Sequence, residues 1–329
     1  MQVLGPIWST ILSWLTLPLA LWSSIATGGW GRLAKAPCEG FLTKELPPYS
    51  VSEEALGTIH FLNTGPSDAI LLESDGHFAL VDAGESPRAT EYAKKIAGGQ
   101  LDFILGTHAH ADHIAGFEQV LLLDPDITVG KVYLKPYLGE HKFSFEKAYT
   151  SQWRYDRMVE LCRDRGIELV QEGLDGLKIT LGNMEITVYN GATEHDSMDE
   201  NTNSMCLLVE CGGMRAVLAG DLDNFWYRET CVAREIGKVD LLKAGHHGFD
   251  GSTTIGCLAF LRPATTVFTN NSKSDAASPF DRIVDQVALT VQCRVAWVAN
   301  SEMLATGDFT GGVAAVFSPR GLQYYEIEE

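Results

Sequence analysis

Three histidines and an aspartate crowd into six residues of this chain, His108-Ala109-His110-Ala111-Asp112-His113. Imidazole nitrogens and a carboxylate are the donors that borderline divalent ions prefer, zinc above all. With 9 histidines in 329 residues, a His-x-His-x-Asp-His run arises by chance in roughly four chains in ten thousand. Solvated loop histidines are the poorer reading. His108, His110, Asp112 and His113 are read as metal ligands.

Two further places repeat the pattern. Leu218-Ala219-Gly220-Asp221 is an apolar run into Gly-Asp, and a carboxylate at the end of a buried strand could bridge two cations. His246-His247-Gly248 also follows an apolar run, so either histidine could add a ligand. His195, flanked by Glu194 and Asp196, reads as a solvated loop residue. His60, His77 and His141 are assigned to structure or surface.

Short strands must carry these residues. Thr58 to Asn63, Ala69 to Glu73, His77 to Val81 and Leu101 to Leu105 alternate or run apolar between turn residues. Pro87 to Ala97 is a predicted helix with Ser86 as its cap. Ile114 to Leu123 reads as another, opening just after the His cluster. Lys131 to Lys135 is a strand, and Phe145 to Arg165 is a long amphipathic helix ended by Gly166. Strands follow at Ile167 to Gln171, Leu177 to Leu181 and Glu185 to Tyr189. Ser204 to Glu210 and Met214 to Ala219 form a hairpin. Asn224 to Ile236 is predicted helical, and Val239 to Ala244 is a strand leading to the histidine pair.

Composition narrows the possibilities. An apolar content of 45% describes a globular chain. A formal charge of −18 argues against a broad basic face for nucleic acid, although two bound cations would reverse the field locally. The 7 cysteines include no Cys-x-x-Cys pair, which argues against a disulfide scaffold or a thiolate zinc finger. Residues 1–31 carry no charge, and Ile7 to Thr27 is apolar enough to span a bilayer. This segment is expected to be a signal or membrane anchor, placing the chain outside the cell or at its surface. Its orientation stays open, because the first basic residues come after the apolar run. Residues 32–55, with Pro47-Pro48, read as a linker. Residues 56–329 are taken as one domain, since the metal-type residues spread through it.

The ordered set Asp82-Ala83-Gly84, the His cluster, Gly220-Asp221 and His246-His247-Gly248 resembles the metallo-β-lactamase superfamily. Within it, His60-Phe61-Leu62-Asn63-Thr64-Gly65 and Asp68-Ala69-Ile70-Leu71 resemble the opening of the branch that includes competence-protein hydrolase domains. That opening normally reads Asp-Val-Gly-Gln-Gly; here it reads Asn63-Thr64-Gly65-Pro66-Ser67. Lys131-Val132-Tyr133-Leu134-Lys135-Pro136-Tyr137, Gly182-Asn183-Met184-Glu185-Ile186 and Gly220-Asp221-Leu222-Asp223-Asn224 resemble the catalytic module of bacterial phosphorylcholine esterase.

The resemblance implies an α/β protein, a four-layer αββα sandwich with two divalent metals at the open sheet edge, zinc or else manganese. His108 and His110 would hold one metal and Asp112 and His113 the other, with Asp221 bridging and His246 or His247 completing the second site. Asn201-Thr202-Asn203-Ser204 matches a branch that lacks the usual further histidine, which leaves His195 off the metal. The implied chemistry is hydrolysis by a metal-bound hydroxide that Asp112 helps orient. A small phosphodiester or phosphorylcholine-bearing substrate is favoured. Trp153, Tyr155, Trp226 and Tyr227 are available for a choline cage.

A competence-type DNA nuclease is the main rival, but it needs a basic groove, and only Lys135, Lys243 and Arg262 stand near the motifs. A lactonase or β-lactamase is a third reading. A binding protein with a structural metal is a fourth, disfavoured because structural zinc sites are closed by four ligands.

Overall fold

Among the described residues, alternating apolar residues build two large sheets beside a small two-stranded one, and the faces of the large sheets define the layers. The computed structural model describes residues 42–50, 53–118, 124–139, 151–192, 199–249, 251–271 and 301–328. The anchor expected over residues 1–31, His141 and His195 lie outside the described residues. So do the start of the helix expected from Phe145 and the end of the one expected to reach Leu123. No helix among the described residues is long and apolar enough to cross a membrane.

The first half of the chain supplies β1 (Gly57–Leu62), β2 (Ala69–Ser74), β3 (His77–Ala83), helix α1 (Arg88–Ala97), β4 (Gln100–Leu101), β5 (Phe103–Gly106), helix α2 (Ala111–Ile114), β6 (Thr128–Val129), β7 (Lys131–Leu134), helix α3 (Ser151–Arg165) and β8 (Glu168–Val170). The second half supplies β9 (Lys178–Leu181), β10 (Met184–Tyr189), β11 (Cys206–Cys211), β12 (Met214–Leu218), helix α4 (Arg228–Ile236), β13 (Leu241–Lys243), helix α5 (Ile255–Leu261), β14 (Thr265–Phe268), β15 (Glu302–Ala305), β16 (Gly312–Ser318) and β17 (Gly321–Glu326). One sheet has the order β17-β16-β1-β2-β3-β5-β7-β8, and the other β15-β14-β13-β12-β11-β10-β9.

Period-2 side-chain alternation decides the packing. Ile59, Phe61, Ile70, Leu72, Ala79 and Val81 of the first sheet meet Ile186, Val188, Leu207, Val209 and Leu218 of the second in one inter-sheet core. Leu71, Leu80 and Ile104 point the other way, against Ala89 and Ala93 of α1 and Met158 and Cys162 of α3. Leu208, Val217 and Leu242 back onto Ala233 of α4 and Leu258 of α5. The result is the four-layer αββα sandwich. Each large aliphatic or aromatic side chain buried in these layers contributes on the order of 1.5–3 kcal/mol.

The open edge is set by strand direction. β3, β5 and β7 are parallel, and so are β12, β13, β14 and β15. The C-terminal ends of these strands carry the chemical motifs, as open α/β sheets generally do.

Two sequence expectations need amending. The helix beside the His cluster does not begin at Ile114: a single turn, α2, starts within the cluster and carries Asp112 and His113. Residues 224–236 are not one helix. Trp226 (φ 55°) and Tyr227 (φ 60°) are left-handed, and α4 begins at Arg228, with the Asn224 side chain accepting from Thr230 N and Oγ1. The lead-in is paired to the domain over residues 42–50. Thr43 N donates to Met303 O, Tyr49 N to Glu326 O and Glu326 N to Pro47 O, while the Tyr49 ring stands edge-on to His60.

Candidate metal centre

Each ligand-type side chain reaches the centre because a strand ends there. β5 runs apolar to Gly106, and Thr107 then turns the chain so that His108 and His110 precede α2, while Asp112 and His113 sit on its one turn. Gly116 lets that turn lie flat on the end of β3: its N–H donates to Gly84 O at 2.6 Å, and a Cβ there would meet Ala83 O at 2.3 Å. Asp221 follows β12, with its N–H bonded to Ser204 Oγ at 3.1 Å. His246 and His247 follow β13 on consecutive left-handed residues, φ 50° and 53°. Two non-glycine residues in that region store strain of about 1–3 kcal/mol each, a frequent mark of functional sites.

The side chains converge. The His108 ring lies 4.6 Å from that of His110 and 4.2 Å from that of His113, centroid to centroid. His113 Nε2 is 3.0 Å from Asp221 Oδ2, and His247 Nε2 is 3.3 Å from both Asp221 Oδ2 and Asp112 Oδ2. His246 Nε2 is farther from Asp221 Oδ2, at 4.0 Å, and its ring sits at the partly open mouth. Of the ambiguous pair, His247 is thus the residue turned into the cluster. Asn201 Nδ2 is 3.4 Å from His246 Nε2, which brings the asparagine-rich segment to the same mouth.

Sequence reasoning missed the residues behind the rings. Asp82 accepts from Thr107 N (2.8 Å), Thr107 Oγ1 (2.7 Å) and His113 Nδ1 (2.7 Å). Asp68 accepts from Thr269 Oγ1 at 2.6 Å and faces His247 Nδ1 at 3.1 Å. The two arrangements, Thr107–Asp82–His113 and Thr269–Asp68–His247, match in chemistry. Each fixes a ring by its Nδ1 and turns its Nε2 inward, which is how outer carboxylates orient metal-binding histidines. A signal was present for both: Asp82 ends a buried strand, and Asp68 opens the string Asp68-Ala69-Ile70-Leu71 that carries part of the family resemblance, though neither was read as a site residue.

Charge is concentrated and poorly compensated. Burial opposes charge on His113 and His247, yet Asp221 in front of both rings, with Asp82 behind one and Asp68 behind the other, outweighs it. His113 is held well above the usual histidine range and His247 at about 10. Burial together with the neighbouring His113 and His110 keeps His108 well below it. Burial would raise the Asp221 carboxyl, but His113, His247 and His246 hold it well below the usual range.

The residues fit a metal. His108 Nε2, His113 Nε2, His247 Nε2 and both Asp221 oxygens are buried without a hydrogen-bond partner. Ligand atoms of Asp68, His113, Asp221 and His247 all lie within 4.8 Å of one another. Buried polar atoms left unpaired are costly, and bound cations would satisfy them.

Replacing Asp82 by Asn tests the orienting role. The amide offers a donor where His113 Nδ1–H needs an acceptor, which favours the tautomer with its proton on Nε2. Metal affinity is expected to fall by about 10–100-fold with thermal stability little changed, measured by competition with a chromophoric chelator.

A family profile described as "Metallo-beta-lactamase superfamily" matches residues 62–184. The chain is 25% identical over 185 residues to ComE operon protein 3 of Bacillus subtilis, covering 56% of this chain and 22% of that protein. It is 28% identical over 194 residues to Ribonuclease Z of Mycolicibacterium gilvum, covering 55% of this chain and 65% of that one. The chain therefore matches less than two thirds of either relative. Among solved structures, the metallo-beta-lactamase fold protein YhfI of Bacillus subtilis aligns with a TM-score of 0.47 at 14% identity, covering 78% of this chain and 98% of that one.

Proposed function

We propose that this chain, which matches the metallo-beta-lactamase superfamily profile over residues 62–184, is a two-cation phosphodiesterase acting on a small substrate. The observation that carries the reading is the convergence of inward-facing Nε2 atoms on the carboxylate of Asp221, all buried without a conventional hydrogen bond. His108, His110, Asp112, His113, Asp221 and His247 would hold the cations. When bound, divalent ions polarise a phosphoryl oxygen and bring the pKa of water near neutrality.

The chain's own groups supply the rest. Asp221 stands between the rings of His113 and His247 and can serve both halves of the site. Asp112, whose side chain is 31% exposed, is the carboxylate on the open side and can accept a proton from an attacking water. His246, at the mouth, is placed to meet the substrate. Two lysines close to the motifs are committed internally: Lys135 donates to Asn190 O and Asn203 O, and Lys243 is buried at the centre. Neither is free for a polynucleotide backbone, and this, with the net charge of −18, favours a small phosphodiester. The sequence resemblance makes a phosphorylcholine ester the first candidate.

A second reading, a nuclease, draws on the similarity to a protein named Ribonuclease Z. The test uses the full chain, assayed for metal content and for hydrolysis of p-nitrophenyl phosphorylcholine, bis-p-nitrophenyl phosphate and single-stranded nucleic acid. Two metals per chain and metal-dependent turnover of the small esters above nucleic acid support the proposal. Cleavage of nucleic acid alone moves the reading to a nuclease. Two metals with no phosphodiester turnover overturn both.

A further inference from the structure

Strand β13 sends Leu241 into the inter-sheet core and Leu242 to the outer layer, so alternation returns Lys243 inward. Its side chain is fully buried. An ammonium in a dry interior is tolerated only when paired and hydrogen-bonded. Lys243 Nζ donates to Gly220 O at 3.0 Å, forms an ion pair with Asp68 Oδ2 and stands 3.8 Å from Asp221 Oδ1. Asp68 Oδ2 has no conventional hydrogen bond, so this ion pair is what compensates its burial. The other Asp68 oxygen is taken by Thr269 and faces His247 Nδ1.

Asp68 nevertheless lies close enough to His113, Asp221 and His247 to join a shared cation. We propose that Lys243 is an internal cation that holds Asp68 off the bound ions, keeping it as the orienting acceptor behind His247 instead of a ligand. The inference rests on the two-cation reading above and goes beyond it by assigning Asp68 and Lys243. It also gives the lysine a chemical purpose. A further carboxylate on an ion lowers the positive charge it presents to substrate, and local ion charge dominates such sites. Asp82 performs the same task for His113 with Thr107 as its partner. Asp68, whose Oδ2 also stands 3.9 Å from His113 Nδ1, needs a counter-charge to stay out. Lys243 is a positioning residue in this scheme and touches no substrate.

The test compares wild type, Lys243→Met and the double variant Asp68→Asn/Lys243→Met, each as the full chain. The probes are Zn²⁺ by chelator competition and Co²⁺ by its visible absorption. In Lys243→Met the freed carboxylate is expected to coordinate. The Co²⁺ spectrum shifts, zinc binds about tenfold or more tightly, and turnover falls. The double variant removes both charges together, so it leaves neither one buried alone. It is expected to keep two metals, with the wild-type Co²⁺ spectrum and affinity about 10–100-fold weaker for want of the orienting carboxylate. Loss of one metal in the double variant would identify Asp68 as a ligand and overturn the proposal. So would a folded Lys243→Met chain with an unchanged spectrum and unchanged affinity. If Lys243→Met does not fold, the metal count of the double variant decides alone. Wild type that binds no metal refutes the two-cation reading itself, a result distinct from either.

Discussion

Asp221→Ala is expected to strip the chain of at least one bound metal and to cut phosphodiester turnover by about a thousandfold or more, the several kcal/mol that Lewis-acid stabilisation supplies. The carboxylate lies between His113 Nε2 and His247 Nε2, and neither of its oxygens has a conventional hydrogen bond. Asp82 and Asp68 are engaged behind the rings on the Nδ1 side, Asp68 by Thr269 and Lys243 as well. The same substitution removes the anion that holds protons on both histidines, so their titration in the metal-free chain should move down. Atomic absorption gives the metal count, steady-state assays give the rate, and NMR titration of the imidazoles gives the third readout. Turnover within tenfold of wild type would remove Asp221 from the centre.

The metal-free chain should lose stability as pH rises from about 6.5 to about 10. His247 titrates at about 10 in the folded chain against 6.5 for an ordinary histidine. A proton bound more tightly in the folded state stabilises it, fully so below 6.5, and that stabilisation disappears as pH climbs through 10. For this one buried ring the difference is on the order of 5 kcal/mol, and His113, also raised, adds in the same direction. Asp221 and Asp112, both held low, act with the opposite sign and lose their contribution only as pH falls below the usual carboxylate range. Cations and these protons compete for the same Nε2 atoms, so metal affinity should rise with pH by about tenfold per unit for each proton displaced. Thermal melts of chelator-treated protein at pH 5, 7 and 9 check the first effect, and zinc titrations check the second. A metal-free Tm that is flat or rising from pH 7 to 9 contradicts the charge arrangement described for the cluster.

Much of this was legible because the informative residues are rare and stand at strand ends. Histidine is scarce enough for the cluster to stand out, and alternation around Ile59, Leu71 and Val209 announces strands with one buried face or two. The orienting role of Asp68 was not legible, for a physical reason. Aspartate is an ordinary turn residue, and what distinguishes Asp68 is contact with His247 and Thr269, 179 and 201 residues away. Lys243 was visible as a charge, but its burial follows only once Leu241 is known to face inward. The turn at Trp226 and Tyr227 escaped because non-glycine residues rarely take positive φ, and helical periodicity runs straight through them.

The lead-in over residues 42–50 has a bearing on solubility. The strands it touches, β15 through Met303 and β17 through Glu326, are, among the described residues, each the end strand of its sheet. Outermost strands offer unpaired N–H and C=O groups on which other chains can add, the usual route to aggregation. A chain trimmed to begin at residue 56 would keep the whole metal cluster and uncover both of those edges. Nine residues that carry no chemistry thereby act as a selvedge, and any shortened form of the protein meant for work in solution should retain them.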